Sequence, residues 1–192
     1  VPSLSIGATN TRTGGAWVAP GGNLAPQTCV SGAPPVFTCP GTLLNIDVGD
    51  AYVRGNAVFR NAAIWYSQTV GLPGGGMTHT GIQWTKVNTS GTFADGGRIE
   101  VATATSSNGE HWYTYPTLAV NASDDVLVGF TKTESDAYAG AAYAFRYGTD
   151  AAGTMQDPLV YQDGVDYYDK DFGGGRNRWG DYMGSYVDPV DK

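Results

Sequence analysis

Three stretches of the chain share one pattern, a short apolar or alternating segment running into a polar turn: residues 57–65, 119–127 and 186–192. Their anchoring valines, Val58, Val120 and Val187, are spaced by 62 residues (120 minus 58) and 67 residues (187 minus 120). The agreement extends upstream, where Trp112-Tyr-Thr-Tyr115 and Trp179-Gly-Asp-Tyr182 stand at matching distances before Val120 and Val187. Such a repeat means that one supersecondary unit, unable to bury its apolar face alone, is stacked on copies of itself. The step exceeds the roughly 40 to 50 residues of a four-stranded propeller blade, so long loops are expected. In the first two copies the turn leads into a second strand, from Ile64 and from Val126, whereas the third copy reaches Lys192 without one. A closed propeller uses about 4 to 8 blades. About three are expected here, an incomplete propeller whose remaining blades come from the same precursor or from another chain.

Segments with strand character recur between the anchors. At 82–84, 99–101, 126–130 and 143–147, alternate positions carry apolar or aromatic side chains, which puts one face toward a core. No stretch sustains a helical period. Clusters of Gly, Pro, Asn and Asp at 72–76, 121–125 and 172–175 separate the segments, and each supplies the positive-φ or side-chain-bonded geometry of a tight turn. With 28 Gly, 10 Pro, 12% aromatic and only 15% charged residues, the chain lacks the composition of long helices and that of disorder, which needs high charge and few aromatics. The expectation is an all-β fold, a β-propeller segment of about three four-stranded blades. Residues 50–192 supply the blades and residues 1–49 a loop-rich β segment of the same structural domain.

Eleven basic against 18 acidic residues leave a net charge of -7, and no Lys/Arg cluster offers the footprint that a phosphate backbone requires. Nucleic acid is therefore not an expected partner. No apolar run nears the roughly 20 residues that cross a bilayer as a helix. Cys29 and Cys39 flank a Pro/Gly-rich loop, with no further Cys and no nearby His to complete a zinc site. A disulfide is expected, with two unpaired thiols as the alternative. It would place the protein in an oxidising compartment, outside the cell or on its surface. Asn88-Thr-Ser90 and Asn121-Ala-Ser123 match the glycosylation sequon, a signal of low specificity in a chain rich in Ser and Thr.

The strings Tyr115-Pro-Thr-Leu-Ala-Val-Asn121, Asp125-Val-Leu-Val-Gly-Phe130, Gly153-Thr-Met-Gln156, Gly173-Gly-Gly-Arg-Asn-Arg-Trp-Gly-Asp-Tyr182 and Val187-Asp-Pro189 together resemble those of secreted bacterial proteins with sialidase-like (BNR, Asp-box repeat) β-propellers. The resemblance covers residues 50–192, and the string from Arg176 to Tyr182 is its most specific element. The Asp-box signature of that family, Ser/Thr-x-Asp-x-Gly-x-x-Trp, has a degenerate copy at 105–112, with Ser107 where Asp should stand. Asp boxes are structural in the family, so this copy speaks to architecture more than to catalysis.

The resemblance implies two functions. The first is a secreted or cell-surface module that binds a glycan or protein partner without chemistry. The second is a sialidase-type glycoside hydrolase, in which a Tyr nucleophile activated by a Glu, an acid/base Asp and three arginines act together, its set completed by blades absent from this chain. Binding is favoured, because no arginine triad can be assembled from the spacings. The catalytic candidates are Glu110 with Tyr115, five positions apart, and Asp181 with Tyr182. For ligand binding they are Arg176, Arg178, Trp179, Asp181, Tyr182 and His111, which propeller symmetry would bring to one face. Competing structural roles are a guanidinium bridge between blades for the arginines and an aromatic wedge between blades for Trp112 and Trp179. Asp166, Asp169 and Asp171 lie in a carboxylate-rich stretch that could supply a structural Ca²⁺, which takes six to eight oxygens. A solvated acidic loop is the alternative there, and no cofactor is required.

Overall fold

A computed structural model describes residues 16–29, 39, 42–101, 111–170 and 174–190. Every regular element among them is a strand: β1 (Asn23–Ala25), β2 (Ile46–Asp47), β3 (Val58–Arg60), β4 (Ala63–Leu72), β5 (His79–Asn88), β6 (Phe93–Ile99), β7 (Trp112–Val120), β8 (Val126–Glu134), β9 (Ala137–Arg146) and β10 (Leu159–Gln162). They form a two-stranded sheet, β1-β2, and two four-stranded sheets in the orders β3-β4-β5-β6 and β7-β8-β9-β10. All pairings are antiparallel. Each four-stranded sheet is a meander in which every strand pairs with its neighbours in sequence.

The repeat seen in the sequence is the first hairpin of each meander. Val58 opens β3 and Ile64-Trp65 follow Ala63 at the start of β4, while Val120 closes β7 and Val126 opens β8. Asn61 and Ala62 both have positive φ, 50° and 56°, the primed geometry whose twist matches a two-residue hairpin. In the second copy the Asn121 side chain accepts the N–H groups of Ser123 and Asp125 at 2.9 Å each. Asn88 does the same between β5 and β6, accepting from Ser90 and Thr92 at 3.2 and 3.0 Å. Both sequon asparagines thus hold their own turns. The third copy differs. Residues 183–188 around Val187 have no regular structure, so the expected third blade is not formed by the described residues. The strand expected at 99–101 ends at Ile99.

One core joins the two meanders. Alternate positions of β4, β8 and β9 bury Trp65, Phe130 and Ala144; β5, which holds Trp84, is buried without a break from His79 to Thr85, and β7 is buried at all nine positions because it crosses β4 and β5 of the first sheet. Trp65 and Trp84 stack at 6.3 Å, and Tyr113 meets Phe130 at 4.8 Å. Burial also pushes the Tyr113 hydroxyl up to about 12, with Glu134 adding to the effect. Two cations tie the sheets together. Lys86 Nζ sits 4.5 Å from the Trp65 ring and 2.7 Å from Asp124, and Arg146 sits 5.0 Å from the Trp84 ring and 2.6 Å from Asp95. A cation held over an indole and paired with a carboxylate satisfies its charge on both sides.

A second, smaller cluster gathers Ala25, Ile46, Val48, Trp112 and Ala139, with Trp179 packed against it. It docks β1 and β2 onto the second meander. Cys29 and Cys39 are joined in a disulfide, Cα atoms 5.9 Å apart, as expected. No helix among the described residues is long and apolar enough to cross a membrane.

Candidate functional site

Among the described residues Asp47 is the least exposed charged side chain, fully buried at the end of β2. Arg176 grips it with two bonds, Nε to Oδ2 at 2.6 Å and a terminal nitrogen to Oδ1 at 2.8 Å. The backbone N–H of Gly49 adds a third at 2.7 Å and the Tyr115 hydroxyl a fourth at 3.3 Å. Burial by itself would raise the carboxyl pKa, and it is the largest influence. The donors outweigh it together, and Asp47 is held below the usual carboxylate range. A buried charge is tolerated only when paired and hydrogen-bonded in this way.

Tyr115 reaches Asp47 because the strand that carries it is irregular. The β7-β8 register shifts between Thr114 and Thr117, and Pro116, which has no N–H to offer a ladder, occupies that bulge. Tyr115 itself has φ +51°, a strained value for a bulky residue, and its N–H donates to Thr69 Oγ1 at 3.1 Å instead of to a neighbouring strand. The bulge re-aims the side chain, which lies against Gly49. A Cβ at Gly49 would stand 2.9 Å from the Tyr115 ring, at a backbone φ of +73°. Burial, then Asp181 and Asp47, push the Tyr115 hydroxyl far above its ordinary pKa.

Alongside, amide side chains clamp the segment after Gly174 to the N-terminal sheet. Asn177 is fully buried. Its Nδ2 donates to the carbonyls of Leu44 and Tyr168 at 3.1 and 2.7 Å, and its Oδ1 accepts the Lys170 N–H at 2.9 Å. Gln27 Nε2 donates to the same two carbonyls, at 2.7 and 2.6 Å, while its oxygen accepts the Tyr168 N–H at 2.9 Å. The Asp47 N–H donates to the Asn177 carbonyl at 2.9 Å. The Tyr168 backbone is therefore held by both amides, and Trp179 is seated against the smaller apolar cluster.

The clamp shapes one wall of a groove of about 700 Å³. On one side it is lined by small residues of β8 and β9, Thr131, Ala139, Gly140 and Ala141, and on the other by Val165, Tyr167, Tyr168, Trp179 and Met183. Tyr168 and Trp179 meet edge to face, ring centroids 4.9 Å apart at 70°. Gln162, Asp163 and Asp166 add amide and carboxylate groups to the hydroxyls of Thr131, Tyr167 and Tyr168 in the lining. Gly180 is required where the chain passes Thr131, since a Cβ there would stand 2.9 Å from the Thr131 hydroxyl at φ +75°. A space of this size, mainly apolar with a few convergent polar groups, is the usual form of a small-ligand site.

The structure separates the candidates named from the sequence. Trp179 lines the groove, and Arg178, Asp181 and Tyr182 line an adjoining recess of about 360 Å³ with Tyr168 and Gly180. Arg178 is ion-paired with Asp181, and Tyr182 projects into solvent. Arg176 lies with Asp47, and Tyr115 joins them beneath. His111 stands apart in a different pairing, its Nε2 2.6 Å from Glu134, which also takes Lys132 at 3.0 Å. Trp112 is buried in the smaller cluster. Glu110, Asp171 and residues 105–110 of the degenerate Asp box lie outside the described residues. Among the described residues no three acidic, His or Cys side chains converge as a metal site. Asp166 and Asp169 alone do not supply the oxygens that Ca²⁺ needs, and Asp166 Oδ1 accepts the Tyr167 N–H at 2.8 Å.

The reading of the sequence missed Asp47, Gln27, Asn177 and the tyrosine pair 167–168. Asp47 did carry a signal, a lone carboxylate between Ile46 and Val48, two residues of the kind that are buried. Comparison with known protein families, with curated proteins and with solved structures finds no match.

Proposed function

We propose that this protein is an extracellular or cell-surface carbohydrate-binding module of β-propeller architecture, the groove beside Trp179 being its binding site. The observation that carries the proposal is the pair of fixed aromatic rings, Tyr168 and Trp179, lining an open groove of about 700 Å³. Sugar rings present C–H faces that stack on aromatics, and hydroxyls that bond to groups such as Gln162, Asp163 and Asp166. The two consecutive four-stranded meanders are the features that support blades. A closed ring of about four or more blades would draw the others from chain beyond these sheets or from further copies. The disulfide is compatible with an oxidising compartment.

Binding is favoured over sialidase-type hydrolysis by the state of Tyr115 and the arginines. A tyrosine nucleophile must lose its proton, whereas this one is buried and holds its proton more firmly than a free tyrosine. Arg176 and Arg178 already spend their charge on Asp47 and Asp181, which leaves them poorly placed to grip a substrate carboxylate.

A glycan array followed by titration of its hits tests the proposal, with Trp179→Ala as the control. Binding by the native chain, lost in Trp179→Ala while the thermal transition persists, is the expected result. An array without hits, or hits indifferent to Trp179→Ala, would overturn it. Turnover of a 4-methylumbelliferyl sialoside would restore the hydrolase reading.

A further inference from the structure

The charge around the groove is one-sided. Its lining includes two carboxylates, Asp163 and Asp166, and no basic side chain among the described residues. A neighbouring recess shares Gly140, Asp163 and Gly164 with it and adds Glu134 and Asp136. Among the described residues the one cation lining it, Lys132, lies 3.0 Å from Glu134, which His111 also approaches at 2.6 Å. At the other end Arg178 is ion-paired with Asp181. The exposed carboxylate of Asp163 forms no ion pair or hydrogen bond among the described residues. The whole chain adds its net charge of -7 to this local field.

The aromatic side of the groove has a matching preference. Tyr168 and Trp179 stand at 70° to one another, which makes a corner instead of a flat platform. The faces of such rings carry negative potential and attract a cation within about 6 Å of the ring. Carboxylates nearby reinforce that attraction, and they repel a carboxylated ligand by the same Coulomb interaction.

We infer that the groove selects an amine-bearing sugar, a glucosamine-type oligosaccharide whose ammonium sits between the Tyr168/Trp179 corner and the carboxylates of Asp163 and Asp166. The inference rests on the carbohydrate-binding reading and narrows it to a substrate class. It also sets the groove against acidic sugars, the class that the sialidase-like resemblance would suggest. Sugar hydroxyls bond to Gln162 and to the acids, while the protonated amine supplies the selectivity.

The test uses three saccharides on the intact, disulfide-bonded chain, with tryptophan fluorescence or calorimetry as readout, at a pH where glucosamine is protonated. They are a glucosamine tetrasaccharide, its fully N-acetylated counterpart of equal length and neutral charge, and sialyllactose. The glucosamine oligomer is expected to bind about tenfold more tightly than the N-acetylated one, and sialyllactose not at all. Its affinity is expected to fall several-fold between about 50 and about 500 mM salt. Asp163→Asn with Asp166→Asn is expected to bring the two glucosamine-series ligands to equal affinity, with an unchanged thermal midpoint as the check on folding. Equal binding of both tetrasaccharides to the native chain would overturn the amine selectivity while leaving the carbohydrate reading intact. Failure of all three saccharides, together with an array without hits, would overturn both. Glucosamine binding that neither Trp179→Ala nor the double Asn variant weakens would assign it to diffuse attraction between a polycation and an acidic protein, and would overturn the inference.

Discussion

The two sides of this molecule are held together by different physics. The meander β3–β6 and the meander β7–β10 share an apolar core in which Trp65, Trp84, Phe130 and Val128 are essentially inaccessible. Where β1–β2 meet the segment after Gly174, the apolar cluster is small and the work is done by polar groups: Asp47 with Arg176, Asn177 and Gln27 with backbone carbonyls. Apolar burial is non-directional and scales with area, so it tolerates small shifts. Paired and hydrogen-bonded groups hold one geometry, and fail abruptly when a partner is lost. The groove lies on the polar-clamped side, where positions are specified most narrowly and where little apolar area backs them up.

The largest effect should come from the apolar side. Trp84→Ala removes a fully buried indole and is expected to cost about 3 to 5 kcal/mol, read as a lower denaturant midpoint in one cooperative transition. Separate transitions for the two meanders would break the idea of a single shared core.

Asp47→Ala comes next. It strands Arg176, the Gly49 N–H and the Tyr115 hydroxyl, and is expected to cost about 2 to 3 kcal/mol, below the usual range for a buried pair because Arg176 is half exposed and regains water. The loss should be local. Hydrogen exchange should rise at the N–H groups of Asp47 and Val48, which bond to Asn177 and Gly22, while the amides of β4, β5 and β8 keep their protection. Equal loss of protection everywhere would erase the contrast between the two sides.

Acid should act on the same point with a smaller effect. The folded pKa of Asp47 lies below its unfolded value, so the stabilisation it gives is complete above the unfolded carboxylate range, near pH 4. It is lost as pH falls through the folded value. The protection factor at Val48, its exchange relative to an unprotected amide at the same pH, should therefore fall below about pH 4 in the native chain, and Asp47→Asn should flatten that fall. Asp124 is also held low, burial opposing and Lys86 and Asn61 prevailing, so Asp124→Asn separates the acid response of the interface between meanders from that of the clamp.

Lys86→Met is the mildest change. The pair with Asp124 is partly exposed on both sides, so its loss should cost about 1 kcal/mol or less. A loss comparable to that of Asp47→Ala would mean that the two sides differ less than their burial implies.

The parts of this fold that could be read from the sequence are those whose signal is local. The hairpins at Val58 and Val120 follow from alternation of side chains and from turn residues within a few positions of one another. The third copy shows where that reading fails. Trp179-Gly-Asp-Tyr182 aligns with Trp112-Tyr-Thr-Tyr115, yet the two strings are packed together instead of standing in successive blades. Trp179 packs against the cluster that contains Trp112, and Asp181 raises the pKa of Tyr115. Gly180, at φ +75°, takes the chain out of the extended conformation that the alignment assumes. Of the candidate site, Trp179, Asp181 and the two arginines were visible as residue types, whereas their partners were not.

By itself the sequence determined an all-β chain with strand-turn-strand units at Val58 and Val120 and favoured a disulfide between Cys29 and Cys39 over free thiols, because side-chain alternation, turn chemistry and cysteine spacing act over short stretches of chain. Only the tertiary structure decided that Asp47 is the anchor of Arg176, 129 residues away, that Tyr115 turns out of its strand to meet it, and that Tyr168 and Trp179 face one groove. A buried charge has no local signature of its partner. The pairing is selected by the free energy of leaving water, which depends on every segment that closes around it.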